Sequence, residues 1–560
     1  MPSHCLGGFE VSRQIVSYLV SAILVIVMFW SMGSSMASAE TTGSYIPHAA
    51  IAIYGNDYFT PANGVVRGSG TALDPFIIEG WEISSSWCGI VILNADVHFV
   101  VQNCYVHDCE SYAVLLGSCS NGIIRNCSCS AQGMFGIYLQ SSYGIGLVNN
   151  TCWSTQGWGI SLAWSTDNNI CNNTCSNNYF QGISLASSTD NYICNNTCSN
   201  DDTGIALWDS SNDNIICNNT CSNNIYQGIY LGSSSYNIVC NNTCRSNGED
   251  GILSIVWPDN PPGDHNAVFN NTCSNNYWEG IELLSSNYNT LGNNTCSYNG
   301  EEGIWLDSSY GNLLDNNSCV SNGWDGIGLG SSSDNVINDN NCSSNGEDGI
   351  WLGIWSYFGN SSATLCKNNM MTRNKLCDNF RYGAYIESGS CNRIWSNTFC
   401  NNNGAEDVYD RSHGQAFDAG TGNWWSSSDG YGNRWSDWRG PDVAPADGDG
   451  IVDYPYHIDG KARSCDYYPL ATSSPDPWTL TDVLIKTIQS WDLPKGTTTG
   501  LTSKLFEATE LLERGNVNGA LHKLMDFVST VHAMEGKHQL ESWQADYALT
   551  SAEAIIGLLT

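Results

Sequence analysis

The chain is poor in charge and above all in positive charge. Only 13% of its 560 residues are charged, about half the usual share, and 20 Lys and Arg stand against 55 Asp and Glu, a formal balance of −35. The first lysine is Lys367, and between Tyr45 and Cys366 the only arginines are Arg67, Arg125 and Arg245. Such a surface cannot neutralise phosphates, which excludes nucleic acid as a partner, and pectate- or heparin-like polyanions are excluded for the same reason. Neutral ligands and cations remain. Long apolar runs are also scarce. The one near the start, residues 15–30, is short for a stable membrane span. Arg13 precedes it and Ala37-Ser38-Ala39 follows, so residues 1–39 read as an export signal, or as an N-terminal anchor if uncleaved, of a secreted or cell-surface protein.

What is abundant is Asn, Ser, Gly (56) and Cys (25), arranged in a repeat. Gly followed by a β-branched residue recurs at Gly136-Ile137, Gly159-Ile160, Gly182-Ile183, Gly204-Ile205, Gly228-Ile229, Gly251-Ile252, Gly280-Ile281, Gly303-Ile304, Gly326-Ile327 and Gly349-Ile350, mostly 22 to 24 residues apart. A fixed period of this size marks a solenoid. Asn, Ser and Gly are poor inside helices, and apolar residues two apart, as in Ile229-Tyr230-Leu231, are strand alternation. The expected fold is mainly β: a single-stranded parallel β-helix of ~23-residue coils with rungs ~4.8 Å apart. Expected bounds are 40–400 for the β-helix with an N-terminal cap over about 40–88, 401–470 for a C-terminal cap with an Asp-rich loop, 471–477 for a linker and 478–560 for a small helical bundle.

Eight residues before each aligned Ile stands a cysteine (Cys129, Cys152, Cys175, Cys221, Cys244, Cys273, Cys296, Cys319, Cys342), with Val106 and Leu376 in that place at the ends and Cys198 offset by one. Apolar substitutes mean an inward column of small hydrophobes. Stacked Cβ atoms ~4.8 Å apart exceed the usual disulfide range, so these thiols are expected to be free and inert. A second column, Cys171, Cys194, Cys217 and Cys240, has Asp315 and Asn338 as later equivalents; polar substitutes mark an outer or turn position, where disulfides or reactive thiols fit better. The motif Asn stacks too (Asn150, Asn173, Asn196, Asn219, Asn242), as turns require and as rung-to-rung amide bonding favours. The Asn before it, as at Asn172 and Asn195, begins a glycosylation sequon.

Chemistry is sought elsewhere. The residue before the aligned Gly runs Asp250, Glu279, Glu302, Asp325, Asp348, with Glu249, Glu301 and Glu347 beside it. Such a belt is either a solvated acidic face or is bridged by cations. As an enzyme, the chain would be a glycoside hydrolase using Glu279, Glu302 and Asp325, since carboxylates one rung apart suit a retaining mechanism. Tyr138, Tyr230, Trp305 and Trp351 should point outward as a platform for sugar rings, or else stack on one another along the rod. Soft-metal donors gather in "NCYVHDCE" (Cys104, His107, Cys109), and Asp447, Asp449 and Asp453 of "ADGDGIVDY" form part of a Ca²⁺ loop. Ca²⁺ is the expected cofactor.

"NGVVRGSGTALDPFIIEGWEI" from Asn63, the rungs, "GNRWSDWRGPDVAPADGDGIVDYPYHIDG" and "DYYPL" together resemble the archaeal NosD-like family of right-handed parallel β-helix proteins, over roughly residues 45–470. The resemblance implies a right-handed coil and an exported protein of the carbohydrate-binding and sugar-hydrolase type. The family name also implies copper delivery, which few Met and scattered His do not favour. Beyond "ATSSPDPW" helix periodicity takes over, and "LLERGNVNGALHKLMDFVSTVHAMEGK" resembles the FIMAH module of secreted proteins. The expected function is non-catalytic binding of a neutral polysaccharide or cell-surface glycan, ahead of the hydrolase, a structural or adhesive rod, and a NosD-like copper-handling protein. The helical module would have a protein partner that the sequence does not name.

Overall fold

The computed structural model describes residues 45–257, 260, 263–355, 365–406, 409–438, 450–452, 454–471, 477–491, 493–514, 516–537, 539–540 and 542–559. The signal segment and Asp447, Asp449 and Asp453 lie outside the described residues.

One coil shows why the sequence repeats as it does. Asn169–Cys171, Thr174–Ser176 and Ile183–Ala186 are three short strands, each paired in parallel with its equivalent one coil on. Repetition builds one sheet of 16 strands and two of 15. Only the opening pair of the long sheets, Val65–Arg67 with Phe76–Glu79, is antiparallel. The first sheet carries the Thr-Cys strands, the second those such as Asn169–Cys171, and the third the Gly-Ile strands.

Alternation sends one residue of each strand inward. Ile, Leu, Val and the first Cys column fill the rod, all essentially without exposure. Val106 and Leu376 stand in register with Cys129 and Cys342. Cys198 is in register as well, between Cys175 and Cys221: the residue missing from that coil comes out of the following turn. These thiols are free and buried. Disulfides form elsewhere, at Cys171–Cys194 and Cys377–Cys400, with Cα atoms 4.7 and 4.6 Å apart. The rung spacing is therefore no bar to a bridge, because a Cα separation of this size lies within the disulfide range.

The Asn-Asn pair divides its labour. Asn172 and Asn195 take left-handed backbone (φ 59° and 54°) and are exposed, so they turn the chain. The next Asn is buried and closes the rod against unpaired amides. Asn173 Nδ2 donates to Leu147 O at 2.8 Å and to Asn196 Oδ1 at 3.0 Å, while its backbone N–H donates to the same Oδ1. Asn196 repeats this toward Asn219, and Asn219 toward Asn242. A second ladder runs through Asn178, Asn224, Asn247, Asn276 and Asn299, broken at one rung by Asp201.

The C-terminal part holds four helices: α1 (Pro477–Ser490), α2 (Lys495–Glu513), α3 (Val517–Glu535) and α4 (Ser542–Leu559). Their i, i+3/i+4 apolar residues, among them Leu501, Leu505, Ala508, Leu524, Phe527, Val531 and Ala552, form one core. Among the described residues no helix is long and apolar enough to cross a membrane.

Candidate functional site

Aromatic rings do lie on the outer face of the third sheet, but two of the four expected there are covered. Tyr230 is 5% and Trp305 7% exposed. The cause is the neighbouring rungs. A Cβ on Gly328 or Gly330 would collide with the Trp305 indole, so those two glycines leave the room in which it lies. Trp351 (5.6 Å between ring centroids) and Trp355 (6.2 Å) pack against it. Tyr230 stacks on Trp208, and its hydroxyl accepts from Trp257 Nε1 at 2.9 Å. Tyr138 and Trp351 are half-buried, and Tyr138 sits in a stack with Tyr112 and Phe135. The open platform expected of Tyr230 and Trp305 is thus corrected to internal stacking, which is favourable in itself.

The carboxylate belt is buried, not a solvated face. Asp250, Glu279, Glu302, Asp325 and Asp348 are all inaccessible or nearly so. Burial pushes every one upward, Glu302 to about 8 and Asp348 to about 7. Glu279 and Asp325 are driven well above the usual range by burial and then by the neighbouring carboxylates Asp250 and Asp348 respectively. A sixth acid joins them that the sequence reading missed. Glu282 pairs in register with Trp305 on the outer face of the third sheet and is as strongly raised, by burial first and then by Asp250. It stands where other rungs carry Leu253, Tyr230, Trp305 or Trp351, and that break in the column was the available signal.

Carboxylate oxygens come within 4.8 Å of one another in three groups: Asp250, Glu279 and Glu282; Glu279, Glu301 and Glu302; Asp325, Glu347 and Asp348. The third has a counter-charge, since Arg381 Nη1 lies 2.6 Å from Glu347 and 3.7 Å from Asp348. The other two have none nearby in sequence, since no Lys or Arg occurs from 246 to 366.

One position further out runs a ladder that the sequence hinted at only in pieces. Phe180, Asp202, Tyr226, Glu249, Trp278, Glu301, Trp324, Glu347 and Arg381 succeed one another rung by rung. Each backbone N–H donates to the carbonyl of the one before, as Glu249 to Tyr226 (3.1 Å), Glu301 to Trp278 (3.2 Å), Trp324 to Glu301 (3.1 Å) and Glu347 to Trp324 (2.9 Å). Aromatic and carboxylate alternate strictly from Phe180 to Glu347. All are exposed or half-exposed, Tyr226 and Trp324 most openly. Tyr277, Tyr298, Glu301 and Trp324 help line an open cavity of about 730 Å³ beside this ladder.

The soft-metal donors do not converge. Cys104 and Cys109 are buried, their Sγ atoms on the carbonyls of Gln102 and His107. His107 turns outward from the same strand, its Nδ1 2.8 Å from Asp108 and its Nε2 3.4 Å from Glu82. Asp108, in left-handed backbone (φ 53°) at a shift of register, breaks the alternation of strand Tyr105–Cys109, so Cys109 turns inward although His107, two residues before it, points out; the spacing "HDC" conceals this.

Fold and site together define a parallel β-helix with a buried carboxylate belt under an alternating aromatic and acidic ladder. Residues 49–226, 179–260 and 260–440 match the family described as "Periplasmic copper-binding protein (NosD)", and the chain belongs to that family. No curated protein matches the chain. Solved structures similar to it include a double mutant of the periplasmic alginate epimerase AlgG (16% identity, 63% of this chain and 85% of that one, TM-score 0.44). They also include the Dettilon tailspike protein gp208 (16%, 56% and 62%, 0.38) and the catalytic domain of a GH87 alpha-1,3-glucanase in complex with nigerose (12%, 65% and 70%, 0.36). Likenesses this distant say nothing of this chain's activity. The copper of the family description does not fit the donors described here. Among the described residues every group of three close donors is all-carboxylate, and the thiol–imidazole contact of Cys465 with His457 (3.3 Å) offers two donors only. Copper sites favour thiolate, thioether and imidazole.

Proposed function

We propose that the protein is an exported β-helix that binds a linear neutral polysaccharide along the ladder from Phe180 to Glu347. The alternation carries the reading. Aromatic faces recur every second rung, about 9.6 Å apart at the strand spacing, and present flat apolar surface to sugar rings. The carboxylates between them accept hydrogen bonds from hydroxyl groups. A site that repeats along a rod suits a ligand that repeats along a line. The sign of the surface selects neutral chains, because uronate or sulfate groups would meet Asp202, Glu249 and Glu301, and residues 246–366 hold no lysine or arginine. The test is affinity electrophoresis in gels containing neutral linear glycans. Trp278→Ala with Trp324→Ala should abolish retardation, and Trp351→Ala, away from the ladder, should not.

A second reading has its own observation. Glu302, held at about 8, is a protonated acid at neutral pH and stands within 4.8 Å of Glu301 and Glu279. An acid raised by burial beside a second carboxyl is the arrangement a glycoside hydrolase needs, and the half-exposed Glu301 is the candidate for the second. Release of reducing ends that disappears in Glu302→Gln would make the protein a hydrolase. Loss on Asp325→Asn alone would move the acid one rung on.

A further inference from the structure

We infer that the corner formed by Asp250, Glu279 and Glu282 holds a Ca²⁺ ion, a site beside the glycan ladder, whose Glu249 and Glu301 flank it. Asp250 and Glu279 occupy the same place on successive rungs, and Glu282 rises beside them from strand Ile281–Leu284. Their oxygens lie within 4.8 Å of one another, the spacing at which three carboxylates share one ion. Two independent facts point to a ligand. Asp250 Oδ2 and Glu279 Oε2 have no hydrogen-bond partner, although Asp250 is 0% and Glu279 7% exposed. Buried polar oxygens are rarely left so. The chain also solves the same problem differently three rungs on: at Asp325, Glu347 and Asp348 it supplies Arg381, whereas around Asp250 the flanking groups, Glu249, Glu302 and Asp307, are acids as well. All-oxygen donors of irregular geometry suit Ca²⁺, which takes six to eight oxygens and fills the remainder with water, better than a copper ion.

An ion competes with protons for these carboxylates, so binding should release protons. Full-length protein stripped with chelator would be titrated with CaCl₂, without glycan, in two buffers of different ionisation enthalpy. Saturable binding with proton release is expected, weakened at least tenfold by Asp250→Asn and by Glu282→Gln, and untouched by Asp447→Asn. Tb³⁺ offers a second readout that needs no change to the ligands. Its sensitised emission should fall in Trp305→Phe, the rung neighbour of Glu282, while Ca²⁺ stoichiometry holds. No binding at millimolar Ca²⁺, binding intact in Glu282→Gln, or binding lost in Asp447→Asn overturns the assignment.

Discussion

Asp201 interrupts a column of ten ladder positions otherwise filled by Asn, and the interruption should cost stability in a way that depends on pH. Its Oδ1 accepts from the Asn178 backbone N–H (2.8 Å) and side chain (2.9 Å), but its Oδ2 is buried without a partner. An Asn here would place an Nδ2 where Asn247 donates to Cys221 O and to Asn276 Oδ1; the equivalents are Cys175 O and Asn224 Oδ1. Burial holds the Asp201 carboxyl at about 8, against 3.8 for an ordinary one. The folded state therefore favours the protonated form. The group's full contribution is present below about pH 4 and is lost as pH rises through about 8. At about 1.4 kcal/mol per unit, the loss between pH 5 and pH 8 is on the order of 3 kcal/mol. Asp201→Asn abolishes this loss and adds two hydrogen bonds worth ~1 kcal/mol each. Urea unfolding of both proteins should show the variant ahead by about 2–3 kcal/mol at pH 5 and by about 3 kcal/mol more at pH 8. An equal advantage at both pH values, or a less stable variant at pH 8, would refute the reasoning.

Trp305→Ala should behave as a core mutation, losing ~3–5 kcal/mol in urea unfolding, because its indole fills space between rungs; a loss under 1 kcal/mol would mean the ring is free. Native alkylation followed by peptide mapping should mark Cys391, which is exposed, and then Cys465, and should spare the inward thiols from Cys129 to Cys342, all buried. Labelling of Cys221 in folded protein would contradict the packed rod. Deletion of residues 475–560 should release the protein from the cell surface if the helical module docks it there, and surface retention unchanged by the deletion would remove that role.

The fold was legible because its determinants repeat. One rung's alternation of Ile and Leu, its Thr-Cys and its Asn-Asn predict the next rung, and the structure puts them in the register read from the sequence. Even the inward side of the Cys column followed from Val106 and Leu376 at its ends. The site was less legible because what covers an outward face is not in the same coil. Trp305 looks like a platform residue until Gly328 and Gly330, one rung on, give its ring a bed. The carboxylates before each Gly look solvated until the outer ladder lies over them. Glu282 is the acid in a column that elsewhere carries Ser161, Ser184, Ala206, Tyr230, Leu253, Trp305, Gly328 and Trp351, visible only once that column is aligned. Asp447, Asp449 and Asp453, the expected Ca²⁺ loop, lie outside the described residues.

The most direct measurement is the retardation of purified protein in gels cast with a neutral linear glycan, for the native chain and for Trp278→Ala with Trp324→Ala. The ladder account predicts retardation of the native protein, unaffected by an anionic glycan added as competitor, and migration of the double variant as in a gel without glycan. Equal retardation of both proteins, or displacement by the anionic glycan, would contradict it.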